Sequence, residues 1–140
     1  MSGMKIVRVD EVTPQALVHP IISGDVSIQR LIDRDVESNV EQCHVAMVNF
    51  APGGGNDWHV HTAAQLLIVT SGIGIVATDD EEATVQSGAV IYISPGVRHR
   101  HGATASSAFS HLSVTWAAAQ TAAAPGPAMY PGRPEAGATQ

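Results

Sequence analysis

The sequence predicts an all-β chain built around one histidine-bearing run. Short stretches rich in β-branched and aromatic residues, each bounded by Gly, Pro, Asp or Ser, recur as far as Trp116. Within them, His59-Val60-His61 and His99-Arg100-His101 each place two histidines at a spacing of two. On a strand that spacing sends both imidazoles to one face, the simplest way for a β-protein to begin a metal site. From Ala117 onward, 16 of 24 residues are Ala, Gly or Pro. Residues 1–116 are therefore expected to form the folded domain and 117–140 a low-complexity tail.

Met4 to Val9 (Met-Lys-Ile-Val-Arg-Val) reads as a short edge strand. Glu11 to Gly24 holds Pro14, Pro20 and Gly24 and reads as irregular connection, with His19 as a loop histidine. Val26 to Ile32 alternates apolar and polar, as a half-buried strand does. Asp33 to Glu41 carries four acids and reads as a solvated loop. Gln42 to Phe50 is the next strand, with His44, Ala46, Val48 and Phe50 on one face and Cys43, Val45, Met47 and Asn49 on the other. Ala51-Pro52-Gly53-Gly54-Gly55 turns the chain into the histidine run.

Leu66 to Thr70 is nearly all apolar and is expected between two layers rather than against water. Ser71-Gly72 reads as a turn, Ile73 to Thr78 as a strand, and Asp79-Asp80-Glu81-Glu82 as a solvated hairpin tip. Ala83 to Gln86 returns, Ser87-Gly88 turns, and Ala89 to Ile93 is another strand. Ser94-Pro95-Gly96 leads to His99, with Arg98 and Arg100 pointing away from His99 and His101. Phe109 to Trp116 is the last clear strand; parity alone does not say which of its faces is interior. Ala117 to Ala124 is expected to make one or two helical turns.

Two glycine-framed spacings, Gly53-x5-His59-x-His61-x3-Gln65-x6-Gly72 and Gly88-x5-Ser94-Pro95-Gly96-x2-His99, resemble the two motifs of the cupin superfamily. The resemblance implies a single-domain cupin β-barrel, a double-stranded β-helix or jelly roll, with core motifs at 53–72 and 88–103. The family usually has Glu at Gln65, Pro at Ser94 and Asn at Ala103. A closer resemblance covers roughly residues 42 to 116. Trp58-His59-Val60-His61, Gln65 to Thr70, Ser94-Pro95-Gly96, His99-x-His101-Gly102-Ala103 and His111-Leu112 are similar to the bacterial cupin hydroxynitrile lyases and their relatives. That resemblance implies one divalent ion, manganese or iron, held by His59, His61, His99 and Gln65, with zinc and nickel as alternatives. It also implies that His101 and His111 line the pocket and that the His111 face of the last strand is interior. The lyases carry Thr at Asn56 and Gln at Thr115, so the substrate is where this chain is expected to depart from them.

Composition bounds the partners. Net charge is −6, with Lys5 and six arginines as the only basic side chains besides histidine, and aromatic residues make up 4%. No basic stripe or stacking platform is present to hold nucleic acid. No apolar run approaches the roughly 20 residues of a membrane span. With one cysteine, Cys43, and an N-terminus lacking an apolar signal core, the expected location is cytoplasmic. The expected assembly is a homodimer or higher homo-oligomer, paired through the N-terminal edge strand.

Three neutral imidazoles and a neutral amide leave a divalent ion its full charge, favouring Lewis-acid over redox chemistry. The expected activity is that of a metal-dependent lyase on a small hydroxylated molecule, such as a cyanohydrin. His111 or His101 moves the proton, and Val48, Phe50, Asn56, Leu67 and Thr115 form the pocket. An Fe(II)-dependent dioxygenase and a non-enzymatic small-ligand or metal-binding module are the alternatives.

Overall fold

The protein is described here by a computed structural model covering residues 4–33, 43–116 and 120–125. The acidic loop from Arg34 and the tail beyond Pro125 lie outside the described residues. A 3-10 turn, Val9–Glu11, precedes twelve strands. They are β1 Gln15–Ala16, β2 Ile22–Ser23, β3 Val26–Ile32, β4 Cys43–Phe50, β5 Gly55–Asn56 and β6 His59–His61. After these come β7 Gln65–Thr78, β8 Glu82–Gln86, β9 Val90–Ile93, β10 His99–Ala103, β11 Phe109–Trp116 and β12 Thr121–Ala123. Every pairing is antiparallel, and no α-helix occurs among the described residues.

One strand belongs to both layers. The first half of β7 pairs with β11 and β9, and β11 continues through β4 to β3 and β1. Its second half pairs with β8 and β10, and β10 continues to β5, β2 and β6. The sheet curls on itself at Gly72, whose φ of +75° is reserved in practice for glycine. The expected turn at Ser71-Gly72 is therefore a bend inside one 14-residue strand. Pairing does not stop there: Phe109 still sits opposite Gly72 and Ser110 opposite Ser71.

Between the layers, Val26, Val48, Phe50, Val69, Ala103 and Phe109 form the buried core. Phe50 and Phe109 stack with centroids 5.7 Å apart. Alternation decides the faces: in β7, Gln65, Leu67 and Val69 are buried while Leu66 and Ile68 are half-buried. In β11, Phe109 and His111 are buried, so the His111 face is the interior one.

Two other expectations are corrected. Met4 to Val9 forms no strand, and Ile6 is 81% exposed. The chain instead enters through the 3-10 turn, whose Val9 and Val12 carbonyls accept hydrogen bonds from Gln29 Nε2 at 3.0 and 2.8 Å. Within the segment expected to be helical, Thr121–Ala123 is a strand on the outer edge of β6. Alanine's helix propensity is weak against a free strand edge offering a row of backbone partners.

Candidate metal centre and its cavity

β6 and β10 bring their histidines together because His59 and His99 are directly opposed in the ladder. The ligand nitrogens of His59, His61 and His99 all lie within 4.8 Å of one another. Gln65, at the head of β7, places its Oε1 3.0 Å from His61 Nε2 and 3.3 Å from His99 Nε2. Its amide nitrogen donates to Ser113 Oγ at 2.9 Å, which fixes the oxygen towards the imidazoles.

The outer nitrogens decide what the inner ones can do. His59 Nδ1 donates to Asp57 O at 2.7 Å and His99 Nδ1 donates to Val97 O at 2.8 Å. A carbonyl only accepts, so both imidazoles carry their proton outside and turn a bare Nε2 lone pair inward. His99 Nε2 then faces Gln65 Oε1 with no proton between two acceptors. Left alone, that arrangement is repulsive; a cation at the convergence of the donors turns it into an attraction. The residues thus fit a metal ion, with His59, His61 and His99 as candidate ligands and the Gln65 oxygen turned towards the same point.

Burial keeps these imidazoles neutral. It pushes His59 down to about 3, with the neighbouring His99 adding to the fall and the Asp57 carbonyl opposing it. His99 is pushed down to about 4 by burial, against the Val97 carbonyl, and His61 is lowered by burial, against its bond to Gln65. Neutral imidazole is the form that binds a metal.

A second pair stands beside the first. The ring centroid of His101 lies 5.8 Å from those of both His59 and His99, and 4.9 Å from that of His111. Asn56 Oδ1 accepts from the His101 backbone N–H at 2.9 Å, so its amide nitrogen is the end that meets His101 Nε2 at 3.1 Å. With Nε2 accepting, His101 must carry its proton on Nδ1 and donate it to His111 Nε2 at 3.2 Å. Phe50 packs against both rings, at 6.1 and 5.4 Å. Burial, then the neighbouring His111, holds His101 well below its ordinary range, and burial pushes His111 down to about 4. The register shift beside His111 leaves Thr70 of β7 as the extra residue, while alternation along β11 continues and carries His111 inward.

These groups open into a cavity of about 240 Å³ walled by Val48, Phe50, Asn56, His59, Gln65, His101 and His111. A chamber of about 360 Å³ adjoins it and holds Thr115, His44 and Arg30. Ile28, Val48, Ser113 and Thr121 line both. Of the expected pocket residues, Leu67 departs: it is wholly buried behind Gln65 and lines neither chamber. His44 sits on the outer rim, 3.2 Å from Asp33 Oδ1. His19, on its loop, reaches the inner cavity wall. Sequence reasoning passed over Ser113 and Thr121, the side chains that hold Gln65 and His61. Alternation from His111 already puts Ser113 on the interior face; for Thr121 no local signal exists.

An antiparallel sheet curled around a buried cluster of neutral imidazoles defines a small β-barrel with a candidate metal site. The family model described as the cupin domain matches residues 46–115, half of the chain, and the chain belongs to the cupin domain family. An (R)-mandelonitrile lyase from Granulicella tundricola is 39% identical over 70 residues, which are 49% of this chain and 53% of that protein. The match thus spans about half the length of this relative. A cupin-like protein from Thermotoga maritima superposes with a TM-score of 0.67 at 28% identity, covering 75% of this chain and 81% of its own. A cupin-2 domain protein from Rhodospirillum rubrum superposes at 0.70 over 86% of this chain and 80% of its own; at 18% identity it speaks to the fold alone.

Proposed function

We propose that this protein is a metal-dependent lyase that cleaves a small hydroxylated molecule of the cyanohydrin type to an aldehyde and cyanide. The observation that carries the reading is the hydrogen-bonded His101–His111 pair, buried in the same apolar cavity as a neutral donor set. The mandelonitrile lyase relative supports it. His59, His61, His99 and Gln65 would hold a manganese or iron ion, which would supply Lewis acidity favouring ionisation of a substrate hydroxyl.

The chain's own groups do the rest. Val48 and Phe50 exclude water and accept the apolar end of the substrate, while Asn56 fixes the tautomer of His101. At rest the pair is neutral and holds one proton between His101 Nδ1 and His111 Nε2. A second proton makes it a buried cation, favourable only while an anion occupies the same cavity. The pair therefore takes the hydroxyl proton at His101 Nε2, the lone pair not used within the pair, which gives up its contact with the Asn56 amide as the C–CN bond breaks. The bond's electron pair leaves with cyanide, which receives that proton and departs as hydrogen cyanide.

The test is aldehyde release from mandelonitrile and aliphatic cyanohydrins by manganese-loaded protein, with His111→Phe as the control. The variant is expected to keep the ion and to lose about 10²–10⁴ in kcat. Absence of cleavage by the loaded wild type sinks the lyase reading. Substrate-dependent oxygen uptake by the iron form would install the dioxygenase in its place. We also propose a homodimer, paired through a free strand edge other than the N-terminal segment; light scattering at the monomer mass refutes it.

A further inference from the structure

The three imidazoles of the metal centre are not held alike. His59 and His99 each give Nδ1–H to a carbonyl two residues upstream, so their inner nitrogens are bare at all times. His61 Nδ1 instead meets a hydroxyl, Thr121 Oγ1, at 2.8 Å. A hydroxyl both gives and accepts. On its inner side His61 Nε2 lies 3.0 Å from Gln65 Oε1. Two tautomers are open to it, of which the first satisfies both contacts and the second only the outer one. In the first, Thr121 donates to Nδ1 and Nε2–H donates to Gln65, so a hydrogen bond joins two would-be ligand atoms. In the second, Nδ1–H donates to Thr121 and Nε2 is bare. Only the second accepts an ion.

Thr121 reaches His61 on a strap that runs along the strand bearing the ligands. β12 pairs with β6 in a register that sets Thr121 opposite His61 and Ala123 opposite His59. Thr62 N donates to Gln120 O at 2.9 Å, and Ala124 N donates to Trp58 O at 3.0 Å. Arg98 clamps the end: its Nε donates to Ala124 O at 2.6 Å, and its guanidinium lies 4.1 Å from the centre of the Trp58 ring.

Resting on the metal centre of the proposed function, we propose that Thr121 is a positioning residue that lets His61 change tautomer, making the β12 strap part of the metal centre. Replacing the hydroxyl by a methyl leaves Nδ1 without its partner and favours the Nε2–H form bonded to Gln65, which competes with the ion. Thr121→Val keeps the β-branched shape the strand pairing uses; Thr121→Ser keeps the hydroxyl.

The experiment titrates Mn²⁺ into metal-free wild type, Thr121→Val and Thr121→Ser, following the signal of free Mn²⁺ by electron paramagnetic resonance. Imidazole nitrogen NMR of the metal-free proteins reports the His61 tautomer. Wild type is expected to take up about one equivalent. Thr121→Val should bind about tenfold or more weakly, with His61 fixed as Nε2–H, and Thr121→Ser should restore the affinity. Wild type that takes up no Mn²⁺ overturns the metal centre itself. Wild type that binds while Thr121→Val binds equally well overturns the role of Thr121 alone. A serine variant as weak as the valine one does the same, since loss of strap packing would then be the cause.

Discussion

At the scale of single residues, Gln65 sets the character of the site. Its amide nitrogen is committed to Ser113, which leaves a neutral oxygen among neutral imidazoles. In Gln65→Glu the Ser113 hydroxyl can donate instead, so the geometry survives while the charge changes. Metal affinity is expected to rise about tenfold or more, and turnover of a hydroxylated substrate to fall, because the ion's charge is partly neutralised. Titration with Mn²⁺ beside steady-state kinetics reads both, and affinity and turnover moving together would refute the argument. His59→Ala should abolish uptake, measured as metal content after purification. The three-histidine cluster was legible in the sequence because a period of two puts His59 and His61 on one face and the second glycine-framed motif points to His99. The groups that orient Gln65 and His61 were not: Ser113 and Thr121 are ordinary hydroxyl residues whose roles exist only once distant strands are adjacent.

Among the elements, β7 is the one the architecture depends on. A Cβ on Gly72 would lie 1.8 Å from the Ala108 carbonyl oxygen, at a φ that side chains avoid. Gly72→Ala is expected to cost more than about 2 kcal/mol, read by urea unfolding; a neutral result would mean that the bend is not under this constraint. Most strands could be read from alternation, and Val26–Ile32 and Phe109–Trp116 have the boundaries their patterns suggest. What failed did so for want of partners rather than of propensity. Met4 to Val9 has β-branched residues yet pairs with no strand, whereas Thr121–Ala123 has helix-favouring alanines and lies along β6. Strand formation is decided across the sheet, where local sequence does not reach.

For the whole molecule, the buried imidazoles make stability depend on pH with a definite sign. His59, His99 and His111 are pushed down to about 3, 4 and 4, whereas in the unfolded chain each titrates near 6.5. Below about 6.5 the unfolded state therefore binds more protons. Their contribution is complete above that pH and is lost as pH falls towards 4 and 3. Metal-free protein should melt progressively lower from pH 7 to pH 4.5, and His111→Phe should flatten the slope. An unchanged slope would show that His111 does not titrate as its burial requires. Adding free Mn²⁺ at about a hundred times its Kd should raise the midpoint by about 5–10 °C, and a chelator should reverse the gain.

The division of the ligands among strands also fixes the order of events in a newly made chain. His59, His61 and Gln65 lie within seven residues of one another, but His99 arrives only when β10 has closed against β6 and the second half of β7. Before that closure the site offers a passing ion only a loose local grip; afterwards it is a buried, multidentate trap. On the proposed metal centre, loading would therefore come late, and an ion slow to leave would be a record of what its surroundings held at the moment of closure. Two batches of the same chain grown in different media are then expected to carry different metals.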